Sequence, residues 1–417
     1  MDKIAIVVQR YSEDINGGAE LHARLLAERL GKIYNVDVLT SCANDYLSWD
    51  NYYQDGCEII NGINVIRFPS EKKDIKAFKK LSRYFYRNYH FDRTRFNIIN
   101  FPYLLFKKWQ YKLRKNHDQL FEEWIIRQGP LSKQLIEYLA DNKSKYSAFI
   151  FFTYLYYPTY VGLQKVAEKS ILIPTAHDEP PFYFSGFKKL FSSAQFIMYN
   201  TASEKELVES TYKETMNIKS DIAGVGFESP EFDKKIKPPI DSDYFVYIGR
   251  IDVNKGCKNL IEYFEYFNKT ENKDIKLVLI GKDYMNSPKS SDKIIYTGYI
   301  DEQEKLSYLN YAKGLIIPSQ YESLSMVTLE AMTIGKPVIA NGKCDVLKKH
   351  IEVSKAGVVF YDRNDFCESL SKILSLSEDE QKIVANNGRA YVEKNYQWSG
   401  IIDKFKNAID YVSRYGK

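Results

Sequence analysis

The sequence predicts two doubly wound α/β domains, and three observations carry that reading. Short apolar runs alternate with helical patterns along most of the 417 residues. The alternation starts afresh near residue 244. Between the two halves lies Lys234-Lys235-Ile236-Lys237-Pro238-Pro239-Ile240, whose consecutive prolines stop both helix and sheet. Repeated strand–helix alternation implies parallel sheets covered on both faces, with a cleft between the domains. Ligands of such sheets sit beyond the carboxyl ends of the strands.

In the first half, strands are expected at residues 3–8, 37–39, 64–68, 148–152, 171–174 and 196–199. Leu21, Leu25, Leu26 and Leu30 give helical spacing over 20–30, and 203–210 follows a strand as a helix. Residues 146–164 carry no charge and are long enough to flag a membrane span. Pro158, Gly162 and tyrosines through the middle argue against a bilayer centre. That stretch reads as a buried strand, a Tyr-rich loop and a helix beginning near Pro158. In the second half, strands are expected at 244–248, 276–280, 293–297, 315–317, 337–340 and 357–360. Helices are expected at 258–268, 302–311, 327–333, 365–374 and 378–395. Ile401, Ile402, Phe405, Ile409 and Val412 give helical spacing over 398–415. The domains are therefore drawn as 1–237 and 238–396, with a terminal helical segment 397–417. No tandem repeat of 20–50 residues is evident.

Apolar residues make up 44% and charged residues 27% of the chain, which excludes a disordered class. The net charge of +5 is unevenly placed. Residues 71–117 hold 14 Lys/Arg against three acids, a local +11, so the remainder must sum to −6. A uniformly basic nucleic-acid binder is thereby disfavoured. Cys42, Cys57, Cys257, Cys344 and Cys367 form no C-x-x-C pair and have no zinc spacing, so they read as free thiols in a reducing compartment. The apolar run Ile4 to Val8 is too short for a signal-peptide core and reads as a first strand.

Three segments carry chemistry. Asn16-Gly17-Gly18-Ala19-Glu20 follows the first strand and opens a helix. Adjacent glycines let backbone approach a ligand and leave helix N–H groups open to an anion; a simple turn is the alternative. Tyr247-Ile248-Gly249-Arg250-Ile251-Asp252-Val253-Asn254-Lys255-Gly256 places two cations on one loop before a helix. A guanidinium offers a bidentate fork to phosphate and an ammonium adds a mobile charge; two solvated surface cations are the alternative. Within residues 318–332, Glu322 falls in a loop after an apolar strand and Glu330 on the first turns of the next helix. Carboxylates accept from vicinal hydroxyls, which suits a sugar or ribose. Otherwise Glu330 serves the helix dipole and Glu322 is an exposed loop acid.

Gly-Gly-x-Glu at 17–20, G-R-x-x-x-x-K-G at 249–256, and E-x7-E at 322–330 followed by Ala331-Met332 and Gly335-Lys336-Pro337-Val338-Ile339-Ala340 resemble the family-four retaining glycosyltransferases of GT-B fold. Thr175-Ala176-His177-Asp178 matches their first-domain His-Asp segment. The resemblance spans residues 1 to about 400, with the motifs in the family's order. It implies two Rossmann-like domains facing a central cleft, an acceptor side in the first, a nucleotide-sugar side in the second, and a terminal helix crossing back to the first.

The resemblance also implies residue roles. Arg250 and Lys255 would bind the donor diphosphate, beside Gly249; Glu322 would hold donor-sugar hydroxyls and Glu330 the ribose. Backbone N–H groups of Ser325, Met326 and Val327 would complete the cradle, Ser325 standing where many relatives have Gly. Tyr299 and Ile300 would meet the base, Gly17 and Gly18 would lie under the donor phosphate or sugar, and His177 would approach the reacting centre. Asp178 would orient His177 or cap the next helix. His177, Glu322, Arg250 and Lys255 form the expected catalytic set.

No metal and no cofactor are expected. The one D-x-D string, Asp241-Ser242-Asp243, precedes the first strand of the second domain, where a catalytic metal is out of place. The expected activity is retaining, metal-independent transfer of a sugar from a nucleotide-diphosphate donor to a glycan or lipid-linked glycan, in cell-surface polysaccharide synthesis. A GT-B sugar-nucleotide epimerase, a glycan phosphorylase and a non-enzymatic sugar-binding protein are the alternatives. The basic, aromatic insert 71–117 suits an anionic membrane surface; single-stranded nucleic acid uses the same residue types, and a solvated helical subdomain is the bland reading. The expected location is cytoplasmic, with peripheral contact at the inner face of the membrane and no nucleic acid.

Overall fold

The computed structural model describes residues 2–15, 17–93, 117–228, 239–271, 274–285 and 290–416. Residues 94–116 of the basic insert, Lys234 to Pro238 of the linker and Asn16 of the first glycine motif lie outside the described residues. The chain divides into two compact units: residues 1–223 with 402–417, and residues 224–401. The second unit therefore begins ahead of the 237/238 division read from the sequence, with Phe227 N–H already donating to Tyr396 O over 2.8 Å.

Unit 1 is built on β1 (Lys3–Val7), β2 (Asn35–Ser41), β3 (Gly56–Ile60), β4 (Ile63–Phe68), β5 (Ala148–Phe152), β6 (Ser170–Ile173), β7 (Phe196–Tyr199) and β8 (Lys219–Ile222). Their order in the sheet is β3-β4-β2-β1-β5-β6-β7-β8. All pairs are parallel except β3–β4. The two central strands are apolar along their buried lengths because both faces are covered: Ile4, Ala5, Ile6 and Val7 of β1 and the whole of β5 are fully buried.

The six expected strands of this unit are present, and two edge strands were missed. β3 is exposed along most of its length and β8 reads Lys-Ser-Asp-Ile, so neither shows an apolar run. The signal for β3 was the Asn61-Gly62 pair, which turns the β3–β4 hairpin with φ of 49° and 78°. The uncharged stretch 146–164 resolves into β5 and a helix Tyr157–Lys165 with Pro158 in its first turn. No helix among the described residues is long and apolar enough to cross a membrane.

From the basic insert, a helix Ile75–Arg93 is described. Phe85 is buried in the unit 1 core, with Phe78, Leu81 and Tyr84 packed against it. Lys76, Lys79, Lys80, Arg83 and Arg87 are exposed. The helix Trp398–Tyr415 buries Phe405, Ala408, Ile409 and Val412. From Ile402 onward it belongs to unit 1, where Lys404 Nζ donates to Ile222 O over 2.5 Å and Tyr411 meets Phe196 edge-on.

Unit 2 holds β9 (Tyr244–Ile248), β10 (Lys276–Ile280), β11 (Ile294–Gly298), β12 (Leu315–Ile317), β13 (Val338–Asn341) and β14 (Gly357–Phe360). The order β11-β10-β9-β12-β13-β14 is fully parallel. Numbered from β9 this is 3-2-1-4-5-6, the doubly wound order in which the chain reverses direction between its first and fourth strands. The loops leaving the carboxyl ends of β9 and β12 therefore flank one crevice. The expected helices are present as Cys257–Thr270, Glu302–Tyr311, Met326–Ile334, Arg363–Leu374 and Glu378–Asn395. One helix was missed, Asp345–Ser354, which buries Val346, Leu347, His350 and Ile351.

Candidate functional site

The predicted site residues fall into two sets, one on each unit. In unit 2, β9 ends at Ile248 and the chain turns at Gly249, whose φ of 147° suits glycine. The following loop is pre-shaped. The buried Tyr247 hydroxyl donates to Arg250 O over 2.6 Å, and Asp252 Oδ1 accepts the Lys255 N–H over 2.7 Å. The Arg250 guanidinium stays half-exposed, its Nε 3.8 Å from Asp252 Oδ2.

Gly256 then opens the helix Cys257–Thr270 with φ 79°; a β-carbon there would lie 2.6 Å from Pro318 O. The β9 and β12 loops thus pack backbone against backbone. That contact places Lys255 Nζ 2.6 Å from Glu322 Oε1, joining two of the predicted residues in one ion pair.

Beyond Glu322 the chain passes through Ser325, a non-glycine residue in the left-handed region with φ 60° and ψ 74°. Its hydroxyl meets Thr328 Oγ1 at 2.9 Å, and its carbonyl accepts the Thr328 N–H at 3.0 Å. Ser325 is the N-cap of the helix Met326–Ile334 through its carbonyl, its side chain capping no backbone N–H. Among the described residues, the N–H groups of Ser325, Met326 and Val327 have no backbone or side-chain acceptor. Three unpaired donors and the positive end of a helix dipole thus lie three to five residues along from Glu322 of the Lys255–Glu322 pair.

Glu330, one turn into that helix, is held by Lys305 Nζ at 3.1 Å, and Lys305 is also 2.8 Å from Glu302. Burial pushes the Glu330 carboxyl up from its ordinary value, with Lys305 drawing it back. Tyr299 and Ile300 follow β11, two strands away from β9, and Tyr299 is largely exposed. A cavity of about 210 Å³ opens on the same loops, lined by Asn254, Gln320, Tyr321, Asn341 and Tyr361 among others. It takes the neighbours of Lys255 and Glu322 but neither charged residue. Asp243 of the D-x-D string is 3.0 Å from Lys313 Nζ.

In unit 1, Gly17 is N-cap of the helix Gly18–Leu30 with extended backbone. A β-carbon at Gly17 would lie 2.2 Å from Glu20 Oε2, whereas one at Gly18 would meet open space. The helix N-terminus is thus already faced by a carboxylate, and Glu20 is clamped by Arg10 Nε at 2.9 Å and Nη2 at 2.5 Å. His177 follows β6 after Thr175, itself left-handed at φ 50°. Its Nδ1 is 3.1 Å from Thr175 O and its Nε2 is 3.4 Å from Glu179 Oε1. Asp178 accepts from the Tyr183 hydroxyl over 2.6 Å.

Sequence reading missed the residue that fixes this loop. Glu204 is buried, and its two oxygens accept the N–H groups of Ala176 and Asn200, each over 2.5 Å. Its spacing from its partners has no periodicity to betray it. The one available signal was a Thr-x-x-Glu helix start at Thr201.

The chain has counterparts among known proteins. Residues 228–391, which contain Arg250, Lys255, Glu322 and Glu330, match the family described as Glycosyl transferases group 1. An uncharacterised glycosyltransferase of Methanocaldococcus jannaschii is 23% identical over 445 residues, covering 99% of this chain and 100% of that protein. The chain is a GT-B glycosyltransferase.

The transferase also resembles the lipopolysaccharide 1,2-N-acetylglucosaminetransferase of Salmonella typhimurium, at 25% identity over 189 residues. That match covers 40% of the transferase and 48% of the Salmonella protein. Its fold is shared with a trehalose-6-phosphate structure from E. coli bound with UDP-2-fluoro glucose. There the TM-score is 0.67 at 11% identity, over 98% of the transferase and 99% of that chain.

Proposed function

We propose that the transferase moves a sugar from a nucleotide-diphosphate donor to a glycan or lipid-linked glycan in cell-surface polysaccharide synthesis, with retention at the anomeric carbon and without a metal. One observation carries this: Lys255 and Glu322 in contact at 2.6 Å beside the three unpaired N–H groups of Ser325, Met326 and Val327. A diphosphate needs cations and N–H donors; a sugar hydroxyl needs a carboxylate. The crevice supplies both within one pair of loops. The bound UDP-sugar of the E. coli structure and the name of the Salmonella relative support the donor and pathway classes.

When the donor bond breaks, the glycosidic oxygen leaves with its electron pair on the phosphate. Arg250, Lys255 and the helix N–H groups stabilise that charge, which is the work a divalent metal would otherwise do. The acceptor hydroxyl oxygen bonds to the anomeric carbon on the face the phosphate leaves, and its proton passes to a phosphate oxygen. Glu322 orients the donor sugar and Glu330, fixed by Lys305, the ribose. Tyr299 and Ile300 meet the base. The exposed cations of the helix Ile75–Arg93 favour an acceptor presented at an anionic membrane surface on the cytoplasmic side.

The test is the double variant Arg250→Ala/Lys255→Ala, assayed for donor affinity and turnover across nucleotide sugars. Both should fall at least a hundredfold, since each charged hydrogen bond is worth about 1.5–3 kcal/mol. Unchanged donor affinity would sink the assignment, and turnover wholly dependent on added Mg²⁺ would sink the metal-free step.

A further inference from the structure

His350 is fully enclosed in unit 2, on the helix Asp345–Ser354, and takes no part in the donor chemistry proposed above. Its ring is fixed at both nitrogens. Nε2 is 2.8 Å from Leu324 O, and Nδ1 is 2.9 Å from the Tyr391 hydroxyl on the helix Glu378–Asn395. A carbonyl can only accept, so Nε2 carries the proton and Nδ1 is left as acceptor for the Tyr391 O–H. Burial holds the imidazole well below its ordinary value, at about 4, so the ring stays neutral at physiological pH.

The acceptor is the carbonyl of one particular peptide. Leu324 and Ser325 share a planar trans unit in which C=O and N–H point in opposite directions. Fixing the Leu324 carbonyl on His350 therefore aims the Ser325 N–H away from His350 and into the row of unpaired donors. Ser325 also sits in a backbone region that costs a non-glycine residue about 1–2 kcal/mol. Its turn is held by the contacts around it rather than by its own preference. From this geometry we infer that His350 is a positioning residue for the donor site: as the Nε2–H tautomer, set by Tyr391, it locks the Leu324–Ser325 peptide so that the Ser325 N–H faces the donor phosphate.

This inference rests on the proposed phosphate site, so the experiment separates the two. Inorganic pyrophosphate, which carries neither base nor sugar, is titrated calorimetrically into the full chain and its variants. His350→Leu keeps bulk and loses the donor; its affinity should fall about tenfold, the worth of one charged hydrogen bond. His350→Gln returns an N–H near the position of Nε2 and should recover to within about threefold of the parent. Tyr391→Phe frees Nδ1 to take the proton and should lie between them.

The amide resonance of Ser325 should shift with pyrophosphate in the parent and the Gln variant and stay still in the Leu variant, a readout that lost stability alone does not move. Should His350→Leu fail to fold, the Gln and Phe variants decide. Parent-like affinity in the folded Leu variant, or no Gln–Phe difference when Leu is unfolded, overturns the role of His350. Parent-like affinity in Arg250→Ala/Lys255→Ala overturns the site itself, and the inference with it.

Discussion

At Gly256 the chain has no room for a β-carbon. The residue is left-handed at φ 79°, and the carbonyl of Pro318 fills the space a side chain would take at 2.6 Å. Gly256→Ala must strain its backbone and push the two loops apart, at about 1–3 kcal/mol. The pair that suffers is Lys255–Glu322, so the variant should lose both stability in urea and donor affinity; a stable variant with parent affinity would refute the coupling. Residues of this kind were legible because their signal is local. Arg250, Lys255, Glu322 and Glu330 stand at fixed distances from a strand end, a glycine or a helix start. Lys305, Glu204 and His350 are not, since each acts on a partner 25, 28 and 26 residues away. Only the folded chain brings such polar groups together.

At the level of elements, β6 and its outgoing loop depend on the helix Ala202–Thr211 through Glu204. Burial raises the Glu204 carboxyl from 4.5 to about 8, against the pull of the Asn200 and Ala176 N–H groups. Between those values the folded unit binds a proton that the unfolded chain has released. The stability this contributes is complete below about pH 4.5 and is lost as pH rises through 8. The urea midpoint of the parent should therefore fall, relative to Glu204→Gln, between pH 5 and pH 8.5; parallel curves would exclude it. Buried strands were legible as elements because burial on both faces writes a continuous apolar run, as in Ala148–Phe152. Edge strands and the helix Asp345–Ser354 were not. β3 packs too little to need a pattern. In Asp345–Ser354 the helical spacing is diluted by lysines and a histidine.

Across the whole molecule, charge is segregated along the chain. A net +5 divides into +11 within residues 71–117 and −6 elsewhere. The described part of that segment turns aromatic side chains into unit 1 and leaves cations outward. Each cation near an anionic surface contributes about 1 kcal/mol. Replacing Lys76, Lys79, Lys80 and Arg83 with Gln should therefore weaken co-sedimentation with phosphatidylserine vesicles at least a hundredfold at low salt, and leave pyrophosphate affinity unchanged. Undiminished vesicle binding would reject the membrane reading. Two-domain organisation was legible from the restart of the strand–helix alternation, whereas the place where unit 2 begins is set by tertiary packing around Phe227 and Trp398. The terminal helix has a temporal consequence. Residues 402–416 complete the core of the unit that begins the chain, although all of unit 2 is encoded between. A chain emerging from the ribosome can close unit 2 first. Unit 1 must wait, with the surface beside Ile222 and Phe196 uncovered, until the last helix arrives.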